Sequence, residues 1–369
     1  MLHRGRRATG RLASLLATFA AIAWVASCQD AKLTEPTTTA HPAISAAVVQ
    51  SSIFPTGVST TGIPFIRGPL GALVDMSEPG WAVGSRRDPD GLLRAKALNI
   101  RTGDSLLIGK PPGVHTQSKA INARGEIVGG EPGPGFWPPG PAFHWRNGVL
   151  TELGPGAAMD VNDGGLVVGY RLEGFSARPW VWREGEVQFL SDTYGQALAV
   201  NERGEVVGVG LEPAPGSSVI GPLIWRNGQA TALMPGRSGQ ANAINNRGQI
   251  VGSAIRDDPV PHYEAFLWQD GVVTWLGTLV PVTQFFQYST AKAINDRGQI
   301  VGDAIAETGY LHAVLWENGQ AVDLGLAPES GDVMSSANGV TNSGQVIGAA
   351  GYNPGVRRGM IWTPGAPTQ

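Results

Sequence analysis

Apolar residues along this chain fall in short runs broken by Gly, Pro and Asn, such as IVG at 250–252 and 300–302. Past residue 30 no long stretch carries the i, i+3, i+4 apolar rhythm of a helix. The pattern predicts short β-strands throughout. One phrase repeats almost letter for letter, AINNRGQIVG at 243–252 and AINDRGQIVG at 293–302. Its skeleton, Gly-x-x-x-Gly, recurs at Gly80/Gly84, Gly125/Gly129, Gly165/Gly169, Gly204/Gly208, Gly248/Gly252, Gly298/Gly302 and Gly344/Gly348. An asparagine leads the phrase at Asn122, Asn162, Asn201, Asn245, Asn295 and Asn342, with Ser77 in the first copy.

A second phrase follows and ends in tryptophan: AFHW (142–145), PWVW (179–182), PLIW (222–225), AFLW (265–268), AVLW (313–316) and GMIW (359–362). The first copy has AKALN (95–99) instead. A third phrase, such as VLTELG (149–154) or VVTWLG (272–277), closes most copies. Successive second glycines are 45, 40, 39, 44, 50 and 46 residues apart. That spacing is the length of a propeller blade. In the fifth copy the strands are expected near Asn242–Asn245, Gln249–Ala254, Ala265–Trp268 and Val272–Leu276. Four strands in each of seven copies predict an all-β, seven-bladed β-propeller over residues 46–369, with the repeats at about 70–365. The last copy lacks a fourth strand. GIPFIRG (62–68) or, failing that, Ala46–Ser51 is expected to supply it and close the ring.

Read together, A-x-x-[IV]-N-x-x-G-x-[IV]-V-G and [HP]-A-[FV]-L-W resemble the HAF repeats of bacterial extracellular proteins, with His312-Ala313-Val314-Leu315-Trp316 nearest to the phrase. The resemblance implies export and a repeated β fold. It brings no catalytic residues with it.

Composition supports the strand reading. Gly makes up 52 of 369 residues and charged residues only 15%. The net charge of −3 offers no basic field for nucleic acid. The single cysteine, Cys28, follows a basic start and an apolar run from Leu12 to Ala26, the layout of an export signal. Val25-Ala26-Ser27-Cys28 resembles a lipobox, implying a signal peptide over 1–27 and lipid on Cys28. Residues 28–45, polar and rich in Thr and Pro, read as a tether. The expected location is the cell envelope, the outer membrane ahead of the extracellular space, for a monomer held by its lipid anchor.

The glycine phrase reads as a turn. A type I turn followed by a left-handed Gly248 reverses the chain, and Asn245 caps it as an Asx-turn. A calcium loop needs alternating carboxylates; Asn245-Asn246-Arg247-Gly248 has none, and the equivalent Asp163 and Asp296 occur in two copies. No metal or cofactor is expected. His144 reads as a buried core histidine, and Asp257-Asp258 as a solvated turn. No G-x-S-x-G, H-E-x-x-H or mature thiol suggests catalysis, so a non-enzymatic role is favoured. The connections opposite the glycine turns differ from copy to copy, and variable loops on a rigid frame are where binding usually lives. The candidate ligand residues are Phe136, Trp137, Arg256, His262, Tyr263, Phe285, Phe286 and Tyr288. Their partner would be a glycan, a peptide or an envelope protein. The alternative is a polysaccharide hydrolase or lyase. It requires carboxylates converging at the loop-rich mouth of the channel, and Asp75 and Asp160 are the ones on the inner strands.

Overall fold

The computed structural model describes residues 58–62, 72–108, 115–130, 141–174, 176–257, 260–280, 287–317, 319–326, 331–353 and 356–364. Every named element among them is a strand. They form five four-stranded sheets and one eight-stranded sheet. In the fifth copy, Gly239–Ile244, Ile250–Arg256, His262–Gln269 and Val272–Trp275 pair antiparallel in chain order. The expected strands are present, most of them longer than the sequence pattern suggested. The first strand of each copy packs beside the first strand of the next, and Met334–Val340 returns to lie beside Leu73–Met76. Asn338 Nδ2 bonds Leu73 O at 2.8 Å across that closure. The fold is a β-propeller around a central channel.

The two glycines of the phrase have different physical reasons. Gly248 sits at φ +79°, which a side chain would strain. Its N–H bonds Asn245 O, and Asn245 N–H bonds Gln249 O, closing the expected turn. Gly252 instead allows close approach: a Cβ there would lie 2.0 Å from Gln240 O. The second strand of the fifth copy, Ile250–Arg256, is buried on both faces over its first five residues, whereas the fourth, Val272–Trp275, alternates with exposed positions. In the fifth copy Phe266 packs into a cluster with Ile224 and Leu233 of the fourth copy. Ala265 and Leu267 pack with Val314 and Trp316 of the sixth.

Four expectations change. First, the second and third copies share the eight-stranded sheet, joined through the pair Ala157↔Gly130. Gly130 lacks the side chain present at Ser253 and Asp303, and a Cβ there would meet Ala157 Cα at 2.9 Å. Second, the closing strand is Val58–Gly62, paired with Val356–Pro364 from Gly62↔Met360 to Val58↔Pro364. β-branched Val58, Thr60 and Thr61 suit a ladder, whereas Pro64 of GIPFIRG has no N–H to give. Residues 63–68 and 46–51 lie outside the described residues. Third, Leu98 pairs Ala82 in the slot where Trp268 pairs Ile250, so the first copy keeps the strand and loses the indole. Fourth, Thr341, not Asn342, is the counterpart of Asn245: Gly344 N–H bonds Thr341 O.

Candidate functional site

At one mouth of the channel the glycine turns of all copies surround a cavity of 230 Å³. The leading asparagine is a hydrogen-bond hub there. Asn245 Oδ1 accepts from Arg247 N–H and Gln249 N–H, each at 3.0 Å. Its Nδ2 donates to Gln249 Oε1 at 2.8 Å and to Asn295 O of the next copy at 3.0 Å. The donation to the next copy repeats from Asn122 to Asn162 O, Asn162 to Asn201 O, Asn201 to Asn245 O and Asn295 to Thr341 O. The Asx-turn was legible in the sequence; the link between copies was not.

The following residue forms a second belt. Its backbone N–H donates to the side chain of the equivalent residue in the next copy: Ala123 to Asp163, Asp163 to Glu202, Glu202 to Asn246, Asn246 to Asp296, and Asp296 to Asn342. Asn342 N–H carries the belt on to Glu78 Oε1 of the first copy. Ala123 has no acceptor to offer Glu78. The carboxylates Asp163 and Asp296 are therefore inter-copy acceptors. The signal was in the sequence: the residue after the asparagine is Asp, Glu or Asn in every copy except the second. Among the described residues no group of three or more His, Cys, Asp or Glu is placed to hold a metal ion.

Glu205 sits on the outer side of this rim. Burial works against its charge, but hydrogen bonds from Asn201, Arg203 and Arg226 hold its carboxyl at about 2. His144 is buried, with its ring 5.0 Å from Trp182 and Nε2 3.9 Å from Glu126. Burial lowers its pKa. It is the core histidine the sequence suggested.

Deeper in, Asp75 and Asp160 lie on the first strands of the first and third copies. Asp75 accepts from Met76 N–H and from Ile121 N–H of the next copy, both at 2.8 Å. Asp160 accepts in the same way from Val161 and Val200. Burial raises Asp75 to about 6. Burial raises Asp160 to about 7, and the charge of Asp75 adds to the shift. Ala120, Ala199, Ala243 and Ala293 fill the same register elsewhere. The two carboxyls lie next to the glycine-turn mouth, rather than at the loop-rich mouth where the enzyme reading required them.

On the opposite rim, the predicted ligand residues of the fifth copy are knotted around Glu264, a carboxylate only 1% exposed. Arg256 Nη1 bonds both of its oxygens, at 3.0 and 3.1 Å. His262 Nε2 lies 3.0 Å from Oε2, and Gly277 N–H donates to Oε1. His262 Nδ1 also contacts Val260 O at 2.7 Å, and the ring is buried. Arg256 and Arg237 each sit 5.7 Å from the Trp275 ring, and Arg237 pairs Asp257 at 3.1 Å. Tyr263 and Tyr288 are half-buried and bridge through their backbones. Burial pushes the Tyr288 phenol up to about 12, with the charge of Asp303 adding to the shift. The structure brings Arg256, His262, Tyr263 and Tyr288 together. Phe136, Trp137, Phe285, Phe286, Cys28 and Asp258 lie outside the described residues.

Glu264 belongs to a further series that the sequence reading missed. The residue four before the tryptophan, or before Leu98 in the first copy, is Arg94, Arg178, Glu264, His312 or Arg358 in five copies. Arg94 pairs Asp90 at 2.9 Å, Arg178 pairs Asp192 at 2.5 Å, His312 pairs Asp323 at 2.7 Å and Arg358 pairs Asp332 at 2.8 Å. Three of these pairs tie the third strand to a connection on this rim, and His312–Asp323 ties it to the end of the fourth strand. Charge sign varies while the tie persists, which is why the letters alone do not align.

No family model and no curated protein matches the chain. Solved structures do. The β-propeller domain of the trilobed protease from Pyrococcus furiosus, described as having an open velcro topology, matches at TM-score 0.53 and 12% identity, covering 80% of this chain and 94% of that one. The uncomplexed acylaminoacyl peptidase from Pyrococcus horikoshii matches at 0.52 and 11%, covering 82% of this chain and 53% of that one. A puromycin-hydrolysing peptidase of Mycobacterium tuberculosis matches at 0.50 and 12%, covering 81% and 52%. The chain spans about half the length of these two peptidases. At such identities the likeness concerns the fold alone: the chain is a β-propeller.

Proposed function

We propose that this chain is an exported propeller, lipid-anchored through Cys28 at the cell envelope, whose loop-rich rim binds a glycan, a peptide or an envelope protein. One observation carries the binding reading: the two rims are built differently. At the glycine rim the repeated polar groups are spent on bonds between copies. At the other rim the residues differ from copy to copy, and around Glu264 they form a rigid, charged and aromatic platform. A rigid scaffold carrying unrepeated side chains is the usual setting for recognition. We read the eight-stranded sheet as two blades fused at Gly130, which gives a seven-bladed ring. The single residue pair that joins its halves supports that count.

The test is a glycan and peptide array probed with residues 29–369. Binding lost in Tyr263→Ala and Phe285→Ala, at unchanged melting temperature, would support the reading. Binding retained in both would place the ligand elsewhere. Labelling by a palmitate analogue, lost in Cys28→Ser, tests the anchor. A hydrolase or lyase reading retains one supporting observation, the raised carboxyls Asp75 and Asp160. Polysaccharide cleavage abolished by Asp160→Asn would favour it over a binding module.

A further inference from the structure

Two inner strands carry lysines at the same register, Lys119 in the second copy and Lys292 in the sixth. The Lys292 ammonium lies 2.5 Å from Asp303 Oδ2, 2.8 Å from Ser336 Oγ and 3.3 Å from Asn338 Oδ1. All three partners have counterparts around Lys119, and none can bond it through a side chain. Gly130 stands where Asp303 does, Ala157 where Ser336 does, and Met159 where Asn338 does. Lys119 Nζ bonds Gln117 Oε1 at 3.0 Å. Burial lowers its pKa, which favours the uncharged, nucleophilic amine. Part of the side chain stays accessible, and the same strand ends at Ile121, in the wall of the 230 Å³ mouth.

We propose that Lys119 is a carbonyl-capture site, at which its amine forms an imine with a small aldehyde entering the channel. The nitrogen lone pair adds to the carbonyl carbon, and the C=O electrons move to oxygen, which is protonated. The carbinolamine then loses its nitrogen proton and its hydroxyl as water, leaving a C=N bond; one amine and one aldehyde give one imine and one water. Solvent supplies the proton for the loss of water. Met159 and Ala157 give the aldehyde an apolar wall. This site is separate from the loop-rich rim and does not depend on what binds there.

The full chain holds five lysines, Lys32, Lys96, Lys110, Lys119 and Lys292, so the test has its own controls. Propanal and sodium cyanoborohydride at neutral pH reduce any imine to a propyl amine, read by peptide mass mapping. N-acetyl-lysine methylamide in the same tube reports an ordinary lysine. Lys119 is expected to be alkylated several-fold faster than Lys292 and faster than the free analogue, because Lys292 is held by Asp303, Ser336 and Asn338 while burial favours the uncharged amine of Lys119. A Lys119 rate at or below that of the analogue overturns the proposal. Met159→Asn restores the counterpart of Asn338 and is expected to slow alkylation of Lys119 toward the Lys292 rate. Should that variant not fold, the wild-type comparison decides.

Discussion

The two rims of this propeller repeat to different degrees. At the glycine rim five copies hand the same asparagine hydrogen bond to the next, and the letters repeat with the bonds. At the loop rim five copies also tie down the third strand, but with arginine, glutamate or histidine in the same place. The lesson is that a repeated function need not show as a repeated letter. A turn whose side chain must both accept from its own backbone and donate to the next copy favours asparagine; Thr341 keeps the first bond alone. An ion pair at the rim tolerates either sign, provided its partner changes with it.

Substitutions can break this contrast in order of expected effect. The largest should come from Gly252→Ala. A methyl 2.0 Å from Gln240 O must push the first two strands apart, costing about 4 kcal/mol or more in chemical denaturation and leaving little folded protein. Next is Asn245→Ala, which removes four hydrogen bonds from a residue 4% exposed. A cost of about 2–4 kcal/mol is expected, against about 1 kcal/mol for loss of a lone Asx-turn bond. Asn162→Ala sharpens the point. Leu166 replaces the side-chain acceptor that Gln249 gives Asn245, so this change should cost about 1 kcal/mol less.

The third effect is a pH dependence. Asp160 titrates at about 7 in the fold, against about 3.9 in an unfolded chain. Between those values the folded chain keeps a proton that the unfolded chain releases. This contribution to stability is therefore full below the lower value, declines as pH rises through the interval and levels off above the folded pKa. Asp75, at about 6, acts in the same direction. Wild type should lose stability between about pH 4 and 8 from these groups, and Asp160→Asn should flatten the decline. The smallest effect is expected at the loop rim. Tyr263→Ala, at a half-buried position, should shift stability by under about 1 kcal/mol while removing ligand binding.

Much of the fold was legible because glycine has few substitutes. Gly248 needs a positive φ and Gly252 a bare Cα, so both positions announce themselves in every copy. The closing strand was harder, since Val58–Gly62 has no partner phrase in the repeat and its neighbour GIPFIRG is the more apolar segment. The fusion of the second and third copies depends on Gly130, one glycine among many. The inter-copy role of Asp163 and Asp296 was invisible for another reason. A single copy shows a carboxylate in a loop, and only the closed ring supplies the N–H it accepts. At the candidate site, the sequence picked out Arg256, His262, Tyr263 and Tyr288 as neighbours but not Glu264, the buried acid that holds Arg256 and His262 in place.

The central claim is that the repeated asparagine joins one copy to the next. Native-state hydrogen exchange in Asn245→Ala tests it most directly. Faster exchange is expected at the amides of Arg247 and Gln249, which lose their acceptor, and at amides in the turns of the fourth and sixth copies, whose bonds run through Asn245 O and Asn295 O. Exchange that speeds up only within the turn of the fifth copy, with its neighbours unchanged, would contradict it.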